Sequence, residues 1–176
     1  HLYKEATRLF RSKKPSIGAI QGPAIGGGLG LALMPDFRVA CAEARFAANF
    51  TRLGFHPGFS LTFTLPRLIG QQRANLMFYT GRRISGEQAY EWGLADVLVP
   101  LADVRKEAIK LAAEIAESAP LAVMSTRETM RRGFADAAEI ATERELTEQD
   151  WTRKTEDFKE GVKSYAEKRP GNWKGR

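Results

Sequence analysis

The apolar positions change period as the chain proceeds. Residues 1–13 repeat at helical spacing through Leu2, Ala6, Leu9 and Phe10, which predicts an amphipathic helix. Lys13 and Lys14 suit its negative end, and Pro15 stops it. Ser16 to Gln21 reads as a short buried strand, and Gly22-Pro23 as a turn. From Ala24 to Met34 the residues are small and apolar, predicting a buried helix entered through Gly26-Gly27-Gly28 and ended by Pro35-Asp36. Phe37 to Cys41 alternates as a strand does. Residues 42–58 read as irregular, broken by Gly54, Pro57 and Gly58. Two helical stretches flank Gly70 within residues 60–79. Ser85 to Gln88 forms a capping box whose helix ends near Gly93, and Leu94 to Val99 predicts a strand.

Beyond Pro100 the sequence becomes long, charged and helical. Leu101, Val104, Ala108, Leu111 and Ile115 make one apolar stripe. Further helices are expected over about 120–132, 136–153 and 155–168, with Gly133 and Gly161 as interruptions. The chain therefore divides into an α/β part, 1–100, and a helical region, 101–176, whose apolar faces need the body or another subunit to cover them.

The 176 residues suffice for one domain with a core. A single cysteine excludes an intramolecular disulfide. No apolar run reaches the ~18 residues of a membrane span, and no signal-peptide pattern opens the chain. His1 stands inside helical periodicity, so the sequence reads as one whose beginning is missing. The net charge of +6 points to an anionic partner. The basic residues are dispersed and form no nucleic-acid motif, whereas a phosphorylated cofactor such as coenzyme A fits.

Three glycines ahead of a helix have a chemical use. The first N–H groups of a helix have no partner within it, and a glycine there lets a substrate oxygen approach to hydrogen-bond range. That is half of an oxyanion hole. The spacing is not that of a dinucleotide fingerprint. From local sequence alone, tight helix packing is the favoured explanation of the triplet.

Several motifs in register resemble the crotonase (enoyl-CoA hydratase/isomerase) superfamily. They are Lys14 to Leu29 with its Gly-x-Ala-x-Gly-Gly-Gly turn, Asp36, Arg45-Phe46, Gly81 to Ala89, and Gly93 to Asp96. In the tail, Phe158, Glu160-Gly161 and Glu167-Lys168-Arg169 match as well. The resemblance implies an α/β fold, a partial crotonase-like spiral of ββα units with a helical C-terminal oligomerisation region. It implies an acyl-CoA thioester substrate, with an enolate oxygen stabilised by two backbone N–H groups. Gly27 matches the residue giving one of them; the other belongs to a segment ahead of His1. Ile25, Gly26 and Gly27 would touch the substrate, and Tyr165 and Lys168 fall where relatives contact coenzyme A. Coenzyme A would enter only as part of the substrate, with no separate cofactor. A homotrimer or dimer of trimers in the cytoplasm is implied, with a place in fatty-acid metabolism, and with neither nucleic acid nor membrane as partner.

The chain departs from the family at its two acid/base positions. Hydratases carry glutamates where this sequence has Gly30 and Phe50. The single-glutamate isomerases and the dehalogenases, which need a carboxylate about where Gly58 stands, fit no better. His56, in the loop after Phe50, is the candidate to handle a proton; as a loop histidine it could equally sit at a surface. Phe50, Phe55 and Phe59 could wall an apolar acyl pocket. Asp36 reads as structural and Cys41 as a small core residue. The alternative to a lyase or isomerase is a non-catalytic crotonase-fold module that binds acyl-CoA or oligomerises.

Overall fold

The structure is a computed structural model describing residues 1–176. The chain winds between two small sheets. Strands β1 (Ile17–Ile20), β3 (Phe37–Ala40) and β6 (Val97–Leu98) form one, all parallel, in the order β1-β3-β6. Strands β2 (Pro23–Ile25), β4 (Arg45–Ala47) and β5 (Arg83–Ser85) form the other, where β2 runs parallel to β4 and β5 antiparallel to it. Ile17 lies beside Phe37, and Pro23 beside Arg45. The first two passes thus lay one strand in each sheet before a helix returns the chain, a spiral of ββα units, and in the third α5 intervenes between β5 and β6.

The helices are α1 (Leu2–Thr7), α2 (Gly27–Ala32), α3 (Leu61–Ile69), α4 (Gln71–Thr80), α5 (Gly86–Glu91), α6 (Val104–Ala116), α7 (Pro120–Met130), α8 (Phe134–Thr152) and α9 (Glu156–Ala166). The break between α3 and α4 falls at Gly70, whose φ of 79° is open to glycine. Ser85 Oγ accepts the Gln88 N–H at 3.2 Å and caps α5.

The first helix differs from its sequence reading. It is α-helical only to Thr7 and continues as a 3₁₀ turn, Arg8–Arg11. Its inward face carries Tyr3, Ala6 and Phe10, while Leu2 is 76% and Leu9 44% exposed. Two strands, β4 and β5, lie where the pattern showed none, and Pro23 belongs to β2 rather than to a turn alone. Strands of three residues are too short to establish an alternation. Gly161 does not interrupt α9. A Cβ there would lie 2.5 Å from the Leu53 carbonyl carbon, so the missing side chain lets α9 press onto the 3₁₀ turn Asn49–Leu53.

The core runs between the sheets and their helices through Leu29, Val39, Phe46, Leu61, Leu65, Met77, Ile84 and Leu94. Val104 and Ala108 of α6 join it, packing against β1 and β3. Leu101 lies in a 3₁₀ turn ahead of α6 and is exposed. The composition shift at Pro100 coincides with the end of strand structure. Buried Arg38 donates to the Leu94 carbonyl at 2.6 Å and to Asp96 at 3.0 Å, locking β3 to the start of β6.

Asp36 fastens the helical region to the body. Its carboxylate accepts from Arg127 at 2.9 Å, Arg131 at 2.9 Å and the Ser16 N–H at 2.9 Å. Burial works against its charge, but the Arg127 hydrogen bond, the Ser16 amide and both guanidinium charges outweigh it and hold the carboxyl below its usual range. A depressed carboxylate contributes stability above its unfolded pKa and loses it as pH falls through the folded one. Asp36→Ala strands two largely covered guanidinium groups and is expected to cost about 3 kcal/mol. Urea unfolding at neutral pH measures this, and the difference from the parent protein should shrink in acid.

Candidate functional site

Gly27 and Gly28 open α2, where backbone amides have no acceptor inside the helix. Gly26 precedes them at φ 56°, a conformation costly to any residue with a Cβ, and donates its own N–H to the Ala47 carbonyl at 2.9 Å. The pairing of Ile25 with Ala47 in the second sheet fixes where this turn begins. The glycine amides therefore sit at the end of a strand and the head of a helix, both held by the core.

Aromatic side chains pack against Gly26 and Gly27, while Gly28 is open to solvent. A Cβ on Gly26 would lie 3.7 Å from Cζ of Phe50. A Cβ on Gly27 would lie 2.8 Å from the Tyr3 hydroxyl oxygen. The Tyr3 ring stacks on Phe59 with centroids 5.4 Å apart and planes 9° apart. Phe59 covers Gly30 so closely that a Cβ there would lie 2.6 Å from Cδ1 of Phe59. The two departures from the family pattern are thus physical: position 30 has no room for a side chain, and position 50 holds a buried ring.

Phe59 reaches Gly30 through a strained turn. Phe59 and Ser60 are both left-handed, at φ 64° and 58°, an arrangement that persists only when its surroundings enforce it. Glu145 of α8 does so. Its carboxylate accepts the Ser60 N–H at 2.7 Å, the Thr62 N–H at 2.8 Å and the Thr62 hydroxyl at 2.7 Å. The Ser60 hydroxyl donates to the Ala138 carbonyl at 2.8 Å and lies 2.7 Å from the Thr142 hydroxyl oxygen. Burial raises the Glu145 pKa to about 7, against the pull of the Thr62 and Ser60 donors.

The remaining sequence candidates lie elsewhere. Phe55 meets Phe50 edge-on at 5.3 Å and Phe158 at 5.5 Å, with the Arg153 guanidinium 4.8 Å from its ring centroid. His56 lines a cleft of about 480 Å³ with Phe55, Thr62, Gln71 and Trp151, a set that includes neither Gly27 nor Phe50. Its Nδ1 is 2.8 Å from the Pro57 carbonyl oxygen. Tyr165 and Lys168 line a separate cleft of about 760 Å³ with Arg52, Arg169 and Trp173. Gly26, Gly27, Phe50 and Phe59 are therefore brought together, and His56, Tyr165 and Lys168 are not among them. Tyr3 and Glu145 join the site although the apolar pattern did not single them out. The signal for Tyr3 was the alternative helical phase Tyr3-Ala6-Phe10. No group of three or more His, Cys, Asp or Glu side chains is placed to hold a metal ion, and no helix is long and apolar enough to cross a membrane.

Comparison with known proteins gives the family and the fold. The family model for enoyl-CoA hydratase/isomerase matches residues 1–176. YngF of Bacillus subtilis strain 168, which carries an enoyl-CoA hydratase/isomerase name, is 37% identical over 176 residues, covering 99% of this chain and 67% of its own. The carnitinyl-CoA dehydratase of Salmonella typhi is 35% identical over 174 residues, covering 97% of this chain and 67% of its own. Among solved structures, a carnitinyl-CoA hydratase from Mycobacterium avium superposes with a TM-score of 0.86 at 34% identity, over 93% of this chain and 64% of that one. An enoyl-CoA hydratase from Mycobacterium avium subsp. paratuberculosis K-10 gives 0.90 at 25% identity, over 98% and 70%. The spiral of ββα units, its helical C-terminal region and the matched motifs place this chain in the enoyl-CoA hydratase/isomerase, or crotonase, family.

Proposed function

We propose that the protein processes acyl-CoA thioesters by stabilising an enolate oxygen at the Gly27 amide, without the carboxylate pair of a hydratase. The observation that carries this reading is the head of α2, where the Gly27 amide has no partner within the helix and aromatic side chains pack on the glycines: Tyr3 on Gly27, Phe50 on Gly26, and Phe59 at Gly30 in the place of one family glutamate. An N–H aimed at a developing oxyanion is typically worth ~10²–10³ in rate, whereas general acid/base help adds ~10²–10⁴. A site that keeps the first and lacks both glutamates can still stabilise an enolate oxygen, with water or hydroxide from solvent taking the α-proton, but it gives water addition no general acid or base.

The aromatic walls suit an apolar or aromatic acyl group. The relatives named for carnitinyl-CoA share with the hydratases a CoA thioester, and that shared group is what this reading assigns as substrate. Tyr165 and Lys168, in a cleft with Arg52 and Arg169, are the proposed contacts for the nucleotide end of coenzyme A. Exposed Leu121, Met130 and Ile140 on α7 and α8 support assembly into trimers through the helical region.

Calorimetry with crotonyl-CoA, cinnamoyl-CoA and free coenzyme A tests the assignment. Both esters are expected to bind, cinnamoyl-CoA more tightly, and free coenzyme A less tightly than either. Equal binding of all three would remove the acyl pocket from the account. His56 opens onto the neighbouring cleft, so His56→Ala is expected to leave turnover within about twofold, far from the loss of a general base. A hundredfold fall in a well-folded variant would instead return His56 to the chemistry.

A further inference from the structure

We infer that the Tyr3 hydroxyl donates a hydrogen bond to the thioester oxygen held at Gly27, making this side chain part of the oxyanion-binding apparatus. The inference rests on the acyl-CoA reading above and adds to it a residue that the family's glutamate pattern does not supply.

Position comes first. The phenol reaches the head of α2 only because position 27 has no side chain. A Cβ there would lie 2.8 Å from the hydroxyl oxygen and 3.1 Å from ring carbon Cε1. The phenol oxygen thus packs against the same residue whose amide would hold the thioester oxygen.

Orientation follows from packing. Phe59 lies flat on one face of the ring, and His1 meets it edge-on at 5.1 Å. Gly58 lies against its rim, where a Cβ would fall 2.6 Å from Cε2. A clamped ring holds its hydroxyl in place without cost at the moment of reaction.

The hydroxyl is also uncommitted. It makes no hydrogen bond within the protein, although the residue is only partly exposed. Burial, foremost, raises the phenol pKa, with Arg153 opposing and nearby Glu145 assisting. The group thus stays protonated at neutral pH and offers a donor. Asn49 lies beside Gly26, with its carboxamide oxygen turned to that glycine rather than to Gly27. With Gly30 and Phe50 at the glutamate positions, the Tyr3 hydroxyl is the side-chain donor placed against Gly27.

The test uses crotonyl-CoA labelled with ¹³C at the thioester carbonyl, bound to the full chain and followed by vibrational difference spectroscopy. Binding to the parent protein is expected to lower the carbonyl stretch. Tyr3→Phe should move it part of the way back, while Tm is retained, because the ring and its stack on Phe59 remain and no protein group loses a partner. A 3-fluorotyrosine at position 3, a more acidic donor, should move the stretch further down and gives a second reading independent of the phenylalanine variant's stability. Identical frequencies in all three proteins would overturn the role of Tyr3 while leaving the enolate reading in place. An unshifted carbonyl in the bound parent complex would overturn both.

Discussion

Glu145→Ala is expected to destabilise the protein by about 3 kcal/mol or more and to disorder the turn that carries Phe59. The carboxylate is buried and holds two backbone N–H groups and one hydroxyl. Removing it leaves these donors without partners, each typically worth ~1–3 kcal/mol. It also releases Phe59 and Ser60 from left-handed conformations costing roughly 1–3 kcal/mol each. Relaxation of that strain offsets part of the loss but moves Phe59 off Gly30. Urea unfolding gives the first effect, and loss of cinnamoyl-CoA binding reports the second.

The same residue sets a pH dependence of unusual sign for a carboxylate. Its pKa rises from an ordinary 4.5 to about 7 on folding. Between those values the folded state binds more protons than the unfolded one, so stability falls as pH rises. Parent protein should lose up to about 3 kcal/mol between pH 4.5 and 8 relative to Glu145→Gln, which cannot ionise. A flat difference across that range would mean that the three donors hold Glu145 charged throughout.

Restoring hydratase carboxylates is the second large effect. Gly30→Glu alone places a Cβ 2.6 Å from the Phe59 ring and is expected to destabilise without activating. Combining Gly30→Glu with Phe50→Glu and Phe59→Gly removes that collision, and glycine suits the φ of 64° at position 59. Hydration of crotonyl-CoA by the triple variant should exceed that of the parent by ~10²–10⁴, read from the loss of enoyl absorbance. The buried carboxylates and the lost stack on Tyr3 will lower Tm. A folded triple variant with no gain would show that the missing glutamates are not what separates this protein from a hydratase.

Local chemistry was the legible part of the fold. Glycine breaks at Gly26–Gly28 and Gly70, the Ser85 cap and the helical stretch after Pro100 each announce themselves within a few residues. Strands β2, β4 and β5, three residues each, acquire their identity from pairing across the second sheet, which no local pattern records. At the N-terminus, Leu2 and Leu9 drew the apolar stripe to the wrong face. The true face is Tyr3-Ala6-Phe10, because Phe59, Phe134 and Ala138 wait on that side.

The site was legible where glycine meant close approach and illegible where polarity faced inward. The buried face of α8 is Ala138, Thr142, Glu145 and Gln149, three of them polar, so its periodicity resembles a solvated helix. Those side chains are buried because the 56–62 segment presents donors and acceptors to them, as when Gln149 donates to the His56 carbonyl at 2.9 Å. The absence of a side chain at position 30 is visible in sequence, but its cause, the ring of Phe59 laid across it, appears only in three dimensions.

Enolate stabilisation at Gly27 is tested most directly by mass spectrometry of butyryl-CoA, whose α-carbon carries exchangeable protons, incubated with the full chain in heavy water. Deuterium at the carbon next to the thioester, above the buffer background and reduced in Tyr3→Phe, is the predicted result. Butyryl-CoA bound yet recovered without deuterium would contradict the account and leave a protein that holds acyl-CoA without activating it.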